Sequence, residues 1–381
     1  MTRLAPLCVA VDARTATGAF TGIGRYTVSL VESLVREAPD LALHLWVTDP
    51  AVPLFSSIVG AGASLHPTSM EVPRHPLSDV WLHACLPVQL ARRRIPVLFS
   101  CANYLPVLSG GARRVVTIHD LVCFRHPEVD PWTFVVFLKS MLRLAVRCAD
   151  RIIAVSQATA DELTSILGVS PERITVVHNG VGSLFRQLDR PDRERRRLPD
   201  GVALPFVLSV GAHIPRKNFG RLVAAWATLR RRGFPHQLVL AGPPGISDPE
   251  LGRLVAESKL DGVVRFVGYP SDDELLTLYN QAAAFVYPSI YEGFGIPVVE
   301  AMACGTPVAC SRTSSVPEVA GDAAAYFDPL SVPEIVDTVE RLLSDRQLAD
   351  GLVRAGLDRA ARFTWAAAAR KTAEVLRAVA R

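Results

Sequence analysis

Short runs of aliphatic and β-branched residues recur along the whole chain, and between them the apolar positions fall three and four residues apart. LCVAVD (7–12), VVTIHD (115–120), RIIAVS (151–156) and ITVVHN (174–179) in the first half are apolar on consecutive rather than alternate positions. FVLSVG (206–211), QLVLAG (237–242), VVRFVG (263–268), AAFVYPS (283–289) and TPVACS (306–311) repeat the pattern in the second half. Such runs predict strands covered on both faces. Helical periodicity fills 24–36, 157–167, 219–231, 271–282 and 334–343. The alternation predicts an α/β protein with parallel sheets between layers of helices. Periodicity lapses over 186–204, RQLDRPDRERRRLPDGVAL, where prolines, a glycine and six arginines gather. A solvated linker is expected there, between a first α/β domain (1–185) and a second (205–361). The closing segment, 362–381, is expected to be a long helix that packs back on the first domain.

Composition narrows the classes. With 49% hydrophobic and 20% charged residues over 381 positions, the chain can bury cores for more than one domain. A net charge of +4 does not suit a protein held to nucleic acid mainly through phosphates. Seven cysteines at irregular spacing, without a C-x-x-C pair, read as reduced thiols rather than a disulfide frame or zinc site. Asp12 interrupts the apolar start early, so no secretory leader is expected. The most apolar helix, WTFVVFLKSMLRLAVRCA, is broken by Lys139, Arg143 and Arg147 and is too polar to span a bilayer. These features predict a cytoplasmic protein that takes anionic small molecules or touches a membrane surface.

In open α/β sheets the chemistry lies beyond the carboxyl ends of the strands. There, VGAHIPRKNFG places Arg216 and Lys217 before a helix with Asn218 as its expected N-cap, an anion site that suits a diphosphate. YEGFGIPVVEAMACG follows another strand. Gly293 and Gly295 let backbone approach a ligand, Pro297 fits the first helical position, and Gly305 ends the helix. Glu300, expected in the first turn, can accept both hydroxyls of a diol, and Glu292 those of a neighbouring sugar. Gly22 and Gly24, with Gly18, lie between a strand and a helix, but Thr27 stands where a dinucleotide fingerprint needs its third glycine, so a flexible loop is the other reading. His119, beside Asp120 at a strand end, is a candidate base or hydrogen-bonding partner. His126, His178 and His213 have no evident partners. No Asp-x-Asp and no metal-ligand spacing occurs, so a diphosphate here is expected to be neutralised by Arg, Lys and backbone N–H groups, with no metal and no cofactor.

The run PSIYEGFGIPVVEAMACGTPVACSRTSSVPEVAGDAAAYFDP, together with TGIGRYT, TIHD, VVHNGV and VGAHIPRKN, resembles the family 4 retaining glycosyltransferases. The resemblance implies the GT-B fold, two Rossmann-like domains facing each other across a cleft. It also implies a nucleoside diphosphate sugar as donor. Carried over by position, Glu300 binds the donor ribose. Glu292 and the backbone of Gly293, Phe294, Gly295 and Ile296 hold the donor sugar and phosphates, with Gly211 and Gly268 among the donor-binding strand ends. Arg216 and Lys217 match the cations on the diphosphate, His119 matches the histidine near the anomeric centre, and Gly22 and Gly24 match a first-domain loop that closes on the donor. Ala212 departs from the pattern, since many members carry arginine there. The resemblance is nearest to bacterial mannosyl- and rhamnosyltransferases of surface polysaccharide assembly, which implies GDP-mannose as donor and a glycan or lipid-linked saccharide as acceptor. The helix 132–147 is then a candidate for peripheral contact with an anionic inner membrane face, with a core amphipathic helix as the plainer reading. A nucleotide-sugar epimerase or an inactive subunit of the same fold is the alternative function. A dinucleotide-dependent oxidoreductase is disfavoured by the missing fingerprint.

Overall fold

The computed structural model describes residues 5–16, 22–68, 80–129, 131–246 and 248–381. The chain divides into two compact units, Met1–Gly180 with Thr364–Arg381, and Val181–Phe363. Each is built on one parallel sheet.

The first sheet contains β1 (Leu7–Asp12), β2 (Leu41–Thr48), β3 (Ala63–Thr68), β4 (Val97–Ser100), β5 (Arg113–Ile118), β6 (Arg151–Ala154) and β7 (Ile174–Val176). Their order is β3-β2-β1-β4-β5-β6-β7, so the direction of winding reverses between β1 and β4. Val9, Val11, Val97, Phe99, Val115 and Ile153 are fully buried, as strands covered on both faces require. The helix Trp365–Ala380 belongs to this unit. It lays Ala369, Ala373 and Leu376 inward, packs on the helix Gly22–Glu37, and adds ion pairs from Arg370 to Glu37 and from Arg377 to Asp40.

The second sheet contains β8 (Phe206–Val210), β9 (Gln237–Ala241), β10 (Val264–Phe266), β11 (Ala284–Tyr287), β12 (Val308–Ser311) and β13 (Ala324–Phe327), in the order β10-β9-β8-β11-β12-β13. Winding reverses here between β8 and β11. Phe206, Trp226, Phe285 and Phe327 fill the core on the two sides of this sheet.

The segment 186–204 clusters with the second unit. A short helix, Arg190–Arg195, is capped by Asp189, and its end is pinned to the helix Asp272–Gln281. Gln281 donates to the carbonyls of Arg193 and Arg196, Asn280 accepts from the Leu188 N–H, and Arg196 pairs with Asp273 at 2.5 Å. These are polar contacts, which hydrophobic periodicity does not register.

Gly22 and Gly24 also lie differently from their expected loop. The helix Gly22–Glu37 starts at Gly22, and Gly24 is buried in its first turn. Gly18 and Thr21 of the same motif lie outside the described residues. Among the described residues no helix is long and apolar enough to cross a membrane. All seven cysteines are free, with Cys85 exposed and Cys101, Cys123, Cys304 and Cys310 buried.

Candidate functional site

The reversal between β8 and β11 opens a crevice at the carboxyl ends of those strands, the general ligand position in open parallel sheets. Two loops meet there. The first leaves β8 through Gly211 and makes a tight turn at Pro215–Lys217. The Lys217 stem crosses the bare backbone of Gly211, where a Cβ would stand 3.0 Å from its Cδ. Asn218 closes the turn in the left-handed region at φ +61°, and it does not cap the following helix. Its Nδ2 donates instead to the carbonyls of Pro288 (3.0 Å) and Pro329 (2.7 Å), which ties the turn to the loops after β11 and β13. The expected N-cap is thus a strut between three loops.

The second loop brings Glu292 between the two cations. Arg216 reaches its Oε2 at 2.9 Å and Lys217 its Oε1 at 2.6 Å. Ser289 Oγ donates to the same Oε1, Arg216 also donates to the Tyr291 carbonyl, and Lys217 to the Tyr287 hydroxyl. Ser314 and Ser315 fix the Glu292 backbone from below, one accepting from its N–H and the other donating to its carbonyl. Burial alone would raise the Glu292 carboxyl, but the charges of Arg216 and Lys217 and the bonds from Lys217 and Ser289 overcome it and hold it at about 2. The Tyr287 phenol is driven well above its usual value by burial and by the Glu292 charge. Two cations and one carboxylate leave the cluster with a net single positive charge on largely buried groups.

Gly295 follows at φ +92°, a conformation that costs glycine nothing, and opens the helix Ile296–Ala303. Pro297 is its second residue. Glu300 is its fifth, one residue further in than the position expected for it, so the end of the helix dipole adds less than the sequence suggests. It is 6% exposed and accepts a 2.9 Å bond from the Tyr279 hydroxyl. Phe294 buries its ring edge-on against Phe363. Gly305 follows the helix at φ +71°. Gly268 lies beyond β10, two strands from β8, and accepts from Gly242 N–H; it does not join the ion cluster.

The first unit has its own reversal point. Asp12, at the end of β1, pairs through both carboxylate oxygens with Arg14, which is fully buried and stacks 4.2 Å from the Trp81 ring centroid. His119 follows β5. Its backbone N–H donates to Asn103 Oδ1, and its Nε2 stands 2.8 Å from the Cys101 carbonyl. A carbonyl only accepts, so Nε2 carries the proton and Nδ1 is left as an acceptor. Burial pushes this imidazole below its ordinary value, against the Cys101 hydrogen bond and the Asp120 charge, so it is neutral near pH 7. Tyr26 packs edge-on against it at 4.6 Å.

Some members of these clusters escaped the sequence. Tyr279 and Tyr287 sit inside apolar runs and read as core. His213 is paired with Asp248 and wedged edge-on between Phe219 and Phe266, bracing the loops after β8 and β9. Nothing in the spacing of 213 and 248 signals that pair.

Two family descriptions match the chain, Glycosyltransferase Family 4 over residues 20–182 and Glycosyl transferases group 1 over 192–359. O-antigen chain mannosyltransferase B of Escherichia coli is 32% identical over 367 residues, covering 91% of this chain and 93% of that protein. The serotype-specific mannosyltransferase WbdA of Escherichia coli is 33% identical over 67% of this chain, which spans only 32% of WbdA. Among solved structures, Anabaena HepE in complex with UDP and glucose aligns with a TM-score of 0.76 at 19% identity, over 98% of this chain and 100% of that one. Sucrose-phosphate synthase from Thermosynechococcus elongatus aligns with the same TM-score at 22% identity, over 98% of both chains. At these identities the structures speak for the fold, and two Rossmann-like parallel-sheet units are the halves of a GT-B protein. With the signature run standing where β11 and the helix after it build the ion cluster, and with a relative 32% identical over nearly its full length, the chain belongs to the family 4 glycosyltransferases.

Proposed function

We propose that this glycosyltransferase moves mannose from GDP-mannose to a glycan or lipid-linked saccharide, with retention of the anomeric configuration and without a metal. The observation that carries the reading is the Arg216–Lys217–Glu292 cluster at the β8/β11 reversal. Sugar transfer builds negative charge on the leaving diphosphate while the sugar becomes oxocarbenium-like. Cations already fixed in position stabilise that charge without reorganising. Glu292 keeps both cations in place and charged before the donor arrives, and the same carboxylate can then accept hydroxyls of the donor sugar. Glu300 takes the ribose diol. His119, neutral with its Nδ1 lone pair directed outward from the Cys101 bond, serves as acceptor for a sugar hydroxyl rather than as a cation. The donor identity rests on the named mannosyltransferases among the relatives.

The test incubates the full chain with GDP-mannose, UDP-glucose or dTDP-rhamnose and a saccharide acceptor, with and without EDTA, and measures free nucleotide and the product's anomeric configuration by NMR. Turnover with GDP-mannose alone, retained configuration and indifference to EDTA are expected. Lys217→Ala is expected to lower kcat/KM by about 10²- to 10³-fold, and both Lys217→Ala and Glu300→Ala to lose the rise in melting temperature that GDP-mannose gives the parent. Variants that respond to donor like the parent refute the site, and turnover silenced by EDTA refutes the metal-free mechanism.

A further inference from the structure

Tyr279, on the helix Asp272–Gln281 of the second unit, is fully buried. Phe185 meets its ring edge-on at 5.8 Å and Phe285 at 5.5 Å, and Thr306 Oγ1 donates to its carbonyl. The neighbouring Asn280 and Gln281 donate to the carbonyls of Arg186 and Arg193, which fixes this end of the helix to the segment 186–204. Phenylalanine would fill the same space with no hydroxyl to desolvate. The hydroxyl instead crosses to the helix Ile296–Ala303 and donates to Glu300 Oε2 at 2.9 Å. Burial and the Glu300 charge drive the phenol well above its usual value, so near neutral pH it remains a donor.

We infer that Tyr279 is a positioning residue for Glu300: its hydroxyl holds the carboxylate in the orientation that receives a ribose diol, and the site's preference for ribose over deoxyribose depends on that bond. The last torsion of a glutamate side chain is broad and two-fold, so a carboxylate held by its stem alone takes many orientations. A vicinal diol suits few of them, because its two O–H donors stand at a fixed separation. Each carboxylate oxygen has two lone pairs, so Oε2 can accept from the phenol and still take part in binding. An anchor on a ring clamped by Phe185 and Phe285 selects the orientation before the nucleotide arrives, and binding is spared the cost of ordering it. The inference rests on the reading of Glu300 as the ribose acid and concerns what holds that acid in place.

Isothermal titration calorimetry of the full chain with GDP and 2′-deoxy-GDP, and with UDP and 2′-deoxy-UDP, gives the ratio of dissociation constants within each pair. The parent is expected to favour the ribonucleotide by roughly 10-fold. Tyr279→Phe is expected to bring the ratio to about 2-fold, by weakening the ribonucleotide and leaving the deoxynucleotide where it was. A hydroxyl that serves the fold alone would weaken both members equally and keep the ratio, which overturns the inference. Glu300→Gln with and without Tyr279→Phe should give one and the same ratio; a further fall in the double variant means that the hydroxyl acts elsewhere than through Glu300. A parent that does not distinguish the members of either pair refutes the ribose role of Glu300 and takes the inference with it. A parent and Tyr279→Phe that distinguish them equally remove the inference alone. Should Tyr279→Phe fail to fold by circular dichroism, Phe185→Leu, which loosens the ring and keeps the hydroxyl, is expected to lower the same ratio, and an unchanged ratio there counts against the inference as fully.

Discussion

At Glu292 a single carboxyl holds two cations, and its acidity makes that role measurable. Its folded value of about 2 lies below the 4.5 of an unperturbed carboxyl, so it contributes stability that is complete above about pH 4.5 and lost as pH falls through 2. The depression corresponds to about 3 kcal/mol for this buried group. Denaturant unfolding of the parent and Glu292→Gln between pH 7 and pH 2 should therefore show a stability gap that is constant down to about pH 5 and closes below it. A gap that persists unchanged at pH 2 would mean the carboxylate charge is not what joins Arg216 and Lys217. His119 shows the reverse situation, a buried group kept neutral, and its proton sits on Nε2 because its partner there is a carbonyl.

The turn Pro215–Lys217 and the helix Ile296–Ala303 are the elements that set these residues, and both differ from what a local pattern suggests. Asn before a helix reads as an N-cap because its side chain is usually the nearest acceptor for the orphan N–H groups. Here Asn218 donates across to Pro288 and Pro329, residues 70 and 111 positions away. Asn218→Ala leaves two buried carbonyls without their donor and is expected to cost about 1–3 kcal/mol of stability, with a larger rise in the KM for donor than in the loss of kcat; a change in stability alone would show that the strut does not set the cations. Strand runs, Gly295 and Gly305 were legible because each obeys a local rule of period or dihedral. The Asn218 strut, the Gln281 pins on 186–204 and the His213–Asp248 pair were not, because each depends on which loops a sheet reversal brings together, and no spacing in the chain records it. Glu300 was placed one residue early for a smaller reason: Ile296, not Pro297, opens the helix.

At the scale of the molecule, the first unit is completed by residues that come after the whole of the second. Removing Thr364–Arg381 strips Ala369, Ala373 and Leu376 from the helix Gly22–Glu37, and Leu376 alone is worth about 2–5 kcal/mol to its core. A chain ending at Phe363 should accordingly lose a calorimetric transition, with limited proteolysis consuming the sequence before Gly180 and sparing 181–363. Protection of both regions would show that the helix is dispensable.

Gly180 touches the backbone of Thr364 and Trp365 so closely that a Cβ would sit 2.2 Å from the Trp365 nitrogen, and the Val181 N–H bonds to the Phe363 carbonyl at 3.0 Å. The unit Val181–Phe363 is in that sense a guest spliced into a host, its two ends stitched together and the host's cut edges lying side by side. A gene that joins Gly180 to Thr364 through a few flexible residues restores an unbroken host, and 181–363 can be lifted out and exchanged for the corresponding stretch of a relative, so that the second unit becomes a transplantable part.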